Sequence, residues 1–233
     1  MVSHEWKTIF IHIPKTGGSS IEQIIWPMEK GRSEAELWMG FKDAYHNEYQ
    51  TGGLQHLLAE QVRHVLGDQV FHDYFKFSIV RNPWDKALSQ YNYMAKRPDL
   101  MGFIGMNEKD CFKRYLERIQ LKEHVQWMPQ HRFIMSESGD FLVDHTGRFE
   151  AFSCAVQAVT RRIGLPCSDI PHLNAGDASG IRFLDKESCE FIAELYKEDI
   201  SIFGYSLSDS ACACNNMEAG ESLSLTRCRQ RDI

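Results

Sequence analysis

The sequence predicts an α/β fold, a single domain with a central parallel sheet flanked by helices and a P-loop-like strand–loop–helix at its start. Three observations predict it. Two short apolar runs, Lys7 to Ile13 and Phe75 to Val80 (FKFSIV), are rich in Ile, Val and Phe and stop at turn residues, Pro14 and Asn82-Pro83, as strands buried on both faces do. Each run is followed by apolar residues at helical spacing. Strands alternating with helices along one chain are the order that builds a parallel sheet.

Taken in order, the first strand runs into PKTGGSS, and Ile21 to Met28 (IEQIIWPM) resumes at helical spacing until Pro27 disturbs it. Residues 31–53 mix Trp38, Phe41, Tyr45 and Tyr49 with charges, which suits a short helix or irregular excursion over the sheet edge. Leu54 to Leu66 places Leu54, Leu57, Leu58, Val62, Val65 and Leu66 on one helical stripe that ends at Gly67. After the second strand a helix is expected from Trp84 to Met94, then helices over Cys111 to Leu121 and Phe149 to Ile163, with a short strand at Phe141 to Asp144. Asp185 to Ile200 opens on an Asp suited to capping, with Glu187 in the first turn. From Ser208 the text loses large apolar residues and periodicity, so the expected division is a domain at 1–207 and a flexible tail at 208–233.

Composition narrows the function classes. A chain of 233 residues with 43% hydrophobic and 25% charged residues can bury a real core, which excludes a disordered or disulfide-stapled design. The net charge of −6 excludes general attraction to nucleic acid, so any anionic ligand needs a local basic site. Seven cysteines without a paired CxxC framework read as reduced thiols. No apolar stretch has signal-peptide or membrane-span character. The expectation is a cytoplasmic protein without stable membrane insertion, its oligomeric state open.

The strongest local signal is Lys15-Thr16-Gly17-Gly18-Ser19-Ser20 between a buried strand and a helix. Two glycines let backbone N–H groups turn toward a ligand, and the helix N-terminus adds partial positive charge. Thr16, Ser19 and Ser20 supply hydroxyls and Lys15 a full charge. The loop is not a Walker A sequence, because its Lys precedes the glycines, and G-x-G-x-x-G is missing. The second strand ends on Arg81, and Ser89 follows eight residues on, on a face of the next helix. A guanidinium and a hydroxyl so placed make a fork for a second phosphate group. Taken singly, Arg81 reads equally as a surface ion pair with Asp85 and Ser89 as an ordinary helix-surface residue. On residues alone the two subsites suggest one ligand with two separated phosphates, and a nucleotide or small-molecule kinase and a non-catalytic nucleotide-binding protein stay open as alternative readings.

The pair PKTGGSS and IVRNPWDKALSQY resembles the two cofactor signatures of the sulfotransferases that use 3′-phosphoadenosine 5′-phosphosulfate (PAPS), in the uronosyl, glycosaminoglycan-type carbohydrate branch. QWMPQHRFI, VDHTGRFE, PHLNAG and ELYKEDISIFGY extend the resemblance to positions 7–206. It implies a soluble bacterial member that transfers a sulfuryl group from PAPS to a hydroxyl of a small-molecule or oligosaccharide acceptor. The product would be 3′-phosphoadenosine 5′-phosphate, and no metal is required. By the same resemblance Lys15, Thr16, Gly17, Gly18, Ser19 and Ser20 would hold the 5′-phosphosulfate, and Arg81 and Ser89 the 3′-phosphate.

Lys15 is then the residue to stabilise charge on the departing phosphate. A hydroxyl acceptor calls for a general base, for which histidine is suited. The family's base histidine lies on the segment that is GGLQHLLAEQVR here, which implies His56, with His46 in reserve and Glu60 a group to orient a ring. Gln130, His131 and Arg132 read as acceptor-site lining or packing, Arg148 as a nucleotide contact or a cap, and Asn174 to Arg182 as a lid or a surface loop. The background of net negative charge favours a neutral or short acceptor.

Overall fold

A computed structural model describes residues 1–26, 37, 54–166, 182–210 and 212–214. In chain order the elements are β1 (Val2–Ser3), β2 (Thr8–Ile11), α1 (Gly18–Ile25), a 3-10 turn (Leu54–His56), α2 (Ala59–Leu66), α3 (Asp68–Asp73), β3 (Phe75–Val80), α4 (Pro83–Met94), α5 (Pro98–Ile104), α6 (Phe112–Ile119), α7 (His131–Ile134), β4 (His145–Arg148), a 3-10 turn (Phe149–Ala151), α8 (Phe152–Ile163), β5 (Arg182–Leu184), α9 (Lys186–Leu195), α10 (Lys197–Phe203), a 3-10 turn (Leu207–Asp209) and β6 (Cys212–Cys214). The chain divides into two compact units, Met1–Arg81 with His124–Ala178, and Asn82–Glu123 with Ser179–Ile233.

The first unit holds a four-stranded sheet in the order β1-β2-β3-β4. β2, β3 and β4 are parallel, as expected, and β1 adds an antiparallel edge. All four β2 residues and five of the six in β3 are buried, so both faces of these strands are covered and their composition is nearly continuous apolar. Phe10, Phe77 and Ile79 on one face meet Ile21, Ile25 and Trp26 at α1 and Ala155, Val156 and Val159 of α8. The approach of α8 depends on Gly147 in β4, where a Cβ would lie 2.6 Å from the Ala155 Cβ and 2.7 Å from Ile79 Cδ1.

The register pairs Ile11 with Ser78 and Val80 with Arg148. The Ser78 hydroxyl donates to the Ile11 carbonyl at 2.7 Å, tying the carboxyl ends of β2 and β3 together. Those ends lead into the glycine loop and into Arg81. Outside the carboxyl ends of parallel strands is where open α/β sheets bind ligands.

The second unit is built on α4, α5, α6, α9 and α10 with the parallel pair β5–β6. Asn82 caps α4 by accepting from the Trp84 N–H at 3.1 Å, with Pro83 at the first helical position. The Trp84 indole donates to the Cys189 carbonyl at 3.0 Å and fastens α4 to α9. Asp185 caps α9 through the Ser188 N–H, as expected from the sequence.

Several expectations shift. The stripe of Leu54 to Leu66 is interrupted, because Leu58 is extended (ψ 154°) and its N–H donates to Gln61 Oε1, starting α2 only at Ala59. The helix expected over Asp185 to Ile200 breaks at Tyr196 into α9 and α10. The strand expected at Phe141 to Asp144 lies instead at His145–Arg148, and Phe141 forms a single bridge with Met135. Beyond Ser208 the chain still forms β6, and Ser210 Oγ donates to Asp85; residues 215–233 lie outside the described ones. The reading of reduced thiols is corrected at Cys189, which is buried and disulfide-bonded. Cys111 and Cys154 are free. No helix among the described residues is long and apolar enough to cross a membrane.

Candidate functional site

The candidate site belongs to the first unit and is built on the ends of β2, β3 and β4. β2 ends at Ile11, and residues 12–17 form the loop that starts α1. Lys15 takes a left-handed backbone conformation, φ 67°, which a residue with a Cβ adopts only at a cost of ~1–3 kcal/mol. Its carbonyl accepts from Arg81 Nη1 at 3.1 Å. Two cations from two adjacent strand ends are thereby joined to one loop.

Both glycines are required by space, and Gly17 by dihedral angle as well. Gly17 has φ 89°, and a Cβ there would lie 2.8 Å from the Phe152 ring and 3.0 Å from the Phe149 ring. At Gly18 a Cβ would lie 1.8 Å from His12 Nε2, so the imidazole occupies the space that any other residue would need. The first N–H groups of α1, at Gly18 and Ser19, have no intrahelical acceptor by the geometry of a helix start. With the helix dipole they form a cradle able to hold an anion.

The hydroxyls divide. Thr16 is fully buried and its hydroxyl donates to the Ile13 carbonyl at 2.8 Å, which closes the turn. Ser19 is exposed at the first turn of α1, and Ser20 is buried behind it.

Arg81 follows β3, and its backbone is held on both sides by one side chain. Its N–H donates to Gln130 Oε1 at 2.8 Å, and Gln130 Nε2 donates to its carbonyl at 2.7 Å. Fully buried Gln130 thus copies the pair of bonds that a neighbouring strand would make, where the ladder stops. The guanidinium lies 4.3 Å from the centre of the Phe149 ring, a cation–π contact. Among the residues weighed from sequence, Gln130 is therefore a clamp on Arg81, and Arg148 is exposed at the end of β4.

His56 sits on the 3-10 turn at 6% exposure. Its Nδ1 lies 3.0 Å from the His12 carbonyl oxygen. A carbonyl only accepts, so Nδ1 carries the proton and Nε2 is the atom of the neutral ring that can take one. The two imidazoles pack at 4.6 Å between centres, and His12 stacks on Phe10 at 5.3 Å. Burial, then the fields of His56, the Met1 ammonium and Lys15, holds His12 well below the ordinary histidine value. The carboxylate of buried Glu22 on α1 stands 3.5 Å from His12 Nδ1, facing a neutral ring rather than an imidazolium.

Glu60 is exposed on α2. Ser89 lies in the second unit, half-buried on α4. His46 lies outside the described residues, as do Trp38, Tyr45 and Tyr49 and positions 174–181. Sequence reasoning passed over His12, Glu22, Phe149 and Phe152. The signal for the first two was available: a histidine inside the apolar run FIHI, and a carboxylate between Ile21 and Ile25 on a helix that packs on the sheet.

No curated protein and no solved structure matches the chain. A family model does, over residues 1–206, and its span includes the loop at Lys15, His56, Arg81 and the clamp at Gln130. The chain belongs to the sulfotransferase family.

Proposed function

We propose that this enzyme transfers the sulfuryl group of 3′-phosphoadenosine 5′-phosphosulfate to a hydroxyl of a carbohydrate or related small acceptor, by in-line displacement. Family membership carries sulfuryl transfer in general; the donor and the acceptor are our reading. The observation that supports the donor best is the bond from Arg81 Nη1 to the backbone carbonyl of Lys15, because it fixes the guanidinium that follows β3 against the loop that carries Lys15, so that both cationic residues stand on one short arc of strand ends. The glycines, whose missing Cβ atoms leave room only for backbone, fit a phosphosulfate held on main-chain N–H groups.

When bound, the donor supplies an activated sulfuryl group on a phosphate leaving group. In this reading Lys15, with the N–H groups of Gly17, Gly18 and Ser19, holds the 5′-phosphosulfate and stabilises the charge that builds on the leaving oxygen. Ser20 supports the turn from behind, and Thr16 closes it. Arg81 holds the 3′-phosphate, and Ser89 is assigned to the same phosphate on the family resemblance alone. His56 Nε2 takes the acceptor proton. Because Lys15, Arg81 and the helix start supply the positive charge, the reading requires no metal. The acceptor is assigned from the resemblance of the later segments to the carbohydrate branch, and the acidic background favours a neutral or short one.

Thermal shift with 3′,5′-adenosine bisphosphate, set against ADP with Mg²⁺, tests the donor. Stabilisation by the bisphosphate alone is expected; stabilisation by ADP with Mg²⁺ alone would point to a kinase and refute the assignment. Transfer of labelled sulfate from PAPS into a panel of neutral sugars and short oligosaccharides then tests the acceptor. His56→Ala should reduce turnover by two orders of magnitude or more and leave bisphosphate binding intact.

A further inference from the structure

We propose that Phe149 is a positioning residue for the 3′-phosphate subsite: its ring holds the Arg81 guanidinium against the glycine loop, so that removing the aromatic face weakens binding of a nucleotide that carries a 3′-phosphate and spares one that does not. The proposal rests on the reading of Arg81 as the 3′-phosphate ligand and names a group that sets the guanidinium in place.

The placement follows from the register of the sheet. Val80 of β3 pairs with Arg148 of β4, so the next residues on the two chains, Arg81 and Phe149, leave neighbouring parallel strands side by side. Phe149 opens the 3-10 turn that leads into α8. Its ring centre stands 4.3 Å from Arg81 Cζ, inside the range of about 6 Å in which the face of an aromatic ring attracts a cation. The same ring reaches the loop: a Cβ at Gly17 would lie 3.0 Å from Phe149 Cε2 and 3.2 Å from Cδ2. Phe152, the first residue of α8, backs the ring at 5.8 Å between centres and would lie 2.8 Å from the same Cβ. Arg81 Nη1 completes the arrangement by donating to the Lys15 carbonyl at 3.1 Å. One ring thus touches both the cation assigned to one phosphate and the turn assigned to the other.

A long side chain that is fixed only when its ligand arrives loses rotamer freedom on binding, and the affinity falls by that amount. A ring that fixes it beforehand removes part of the cost. The choice of an aromatic group also matters. A carboxylate in the place of Phe149 would hold the guanidinium too, but it would compete with a phosphate for the same charge. An aromatic face carries no net charge, and so it holds the cation without neutralising it. The effect of the ring is therefore felt by ligands that meet Arg81.

Calorimetry on the full chain with 3′,5′-adenosine bisphosphate and with adenosine 5′-monophosphate reads the effect as a ratio of affinities. Phe149→Leu, which keeps an apolar group against Gly17, should weaken the bisphosphate about fivefold and the monophosphate by less than about twofold. Phe149→Tyr, which keeps the ring, should restore the bisphosphate. In the transfer assay Phe149→Leu should raise KM for PAPS with little change in kcat. In an Arg81→Met background it should cost the bisphosphate nothing further. Stepwise fluorination of the ring at position 149 drains its face at nearly constant shape. It should raise the bisphosphate Kd in steps and leave the monophosphate unmoved, and this series decides if Phe149→Leu does not fold. Equal losses for the two nucleotides, no loss for either, or a flat fluorination series overturns the proposal. Failure of the donor reading shows separately, as an Arg81→Met variant whose ratio of the two affinities is that of the wild type, and the proposal falls with it.

Discussion

Gly18→Ala separates two physical effects of opposite sign. Gly18 is the first residue of α1, and on helix propensity alone alanine there would stabilise the protein, by up to about 1 kcal/mol in a helix interior and less at the first position. The structure says otherwise, because the new methyl would lie 1.8 Å from His12 Nε2 and 2.2 Å from Cδ2 and Cε1. Ordinary contact is about 3.5 Å, so the ring must move by roughly 1.5 Å. It has little room, being stacked on Phe10, packed against His56 and facing Glu22. Overpacking of this kind costs about 1–3 kcal/mol, which outweighs the propensity gain and leaves a net loss near 2 kcal/mol. For a chain of this size that is a fall of about 4–8 °C in Tm. Thermal and urea unfolding of Gly18→Ala, His12→Ala and the double variant measure it. The methyl should cost far less once the ring is gone, giving a coupling of about 1 kcal/mol or more. A Tm that stays level or rises in Gly18→Ala, or additive effects in the double variant, would refute the claim that the imidazole is what demands glycine.

Two further outcomes follow from the same site. Gln130→Leu removes both bonds to the Arg81 backbone; each buried group so orphaned costs about 1–3 kcal/mol, so unfolding should show a loss of at least ~2 kcal/mol and calorimetry a fivefold or greater rise in Kd for 3′,5′-adenosine bisphosphate, whereas Gln130→Glu, which can still accept from the Arg81 N–H, should lie between. His12 is held below 6.5 in the folded state, so on acidification the unfolded chain binds a proton there that the native protein refuses: stability should be level above about pH 6.5 and fall below it by up to ~1.4 kcal/mol per pH unit, and subtracting the urea-derived profile of His12→Phe from that of the wild type should isolate this slope.

β2 and β3, which lead into the glycine loop and Arg81, were legible because both their faces are buried. Phe75 to Val80 matches β3 residue for residue, since nothing polar interrupts the face that packs on α1 and α8. β4 was not legible, because HTGR has no apolar run to announce it; what places it is the fit of Gly147 under Ala155, a contact that exists only after α8 has docked. FLV, which does look like a strand, leaves Phe141 half exposed on a single bridge. The leucine stripe from Leu54 to Leu66 likewise hid a break. Periodicity counts positions and cannot see that Leu58 is extended and bonded to Gln61. That break frees His56 from a helix face and lets its Nδ1 reach the His12 carbonyl.

The same contrast divides the site itself. The groups that stand out in the sequence as site candidates are those that interrupt a pattern: a lysine among glycines, an arginine closing an apolar strand. The groups that position them do not interrupt anything visible. His12 sits in a run that reads as core because it is core, and Gln130 sits in a Trp-Met-Pro stretch that reads as packing because Trp127 and Met128 are buried. A buried polar side chain has to be answered by a partner: Gln130 is answered by the backbone of Arg81 and Thr16 by the carbonyl of Ile13. Polar residues inside apolar runs next to a strand end are thus the place to look for what holds a strand-end site in shape. Their identity is set by contacts with segments 10 to 50 positions away, as in Gln130 with Arg81 or His56 with His12, so each can be suspected from its local sequence but assigned only from the fold.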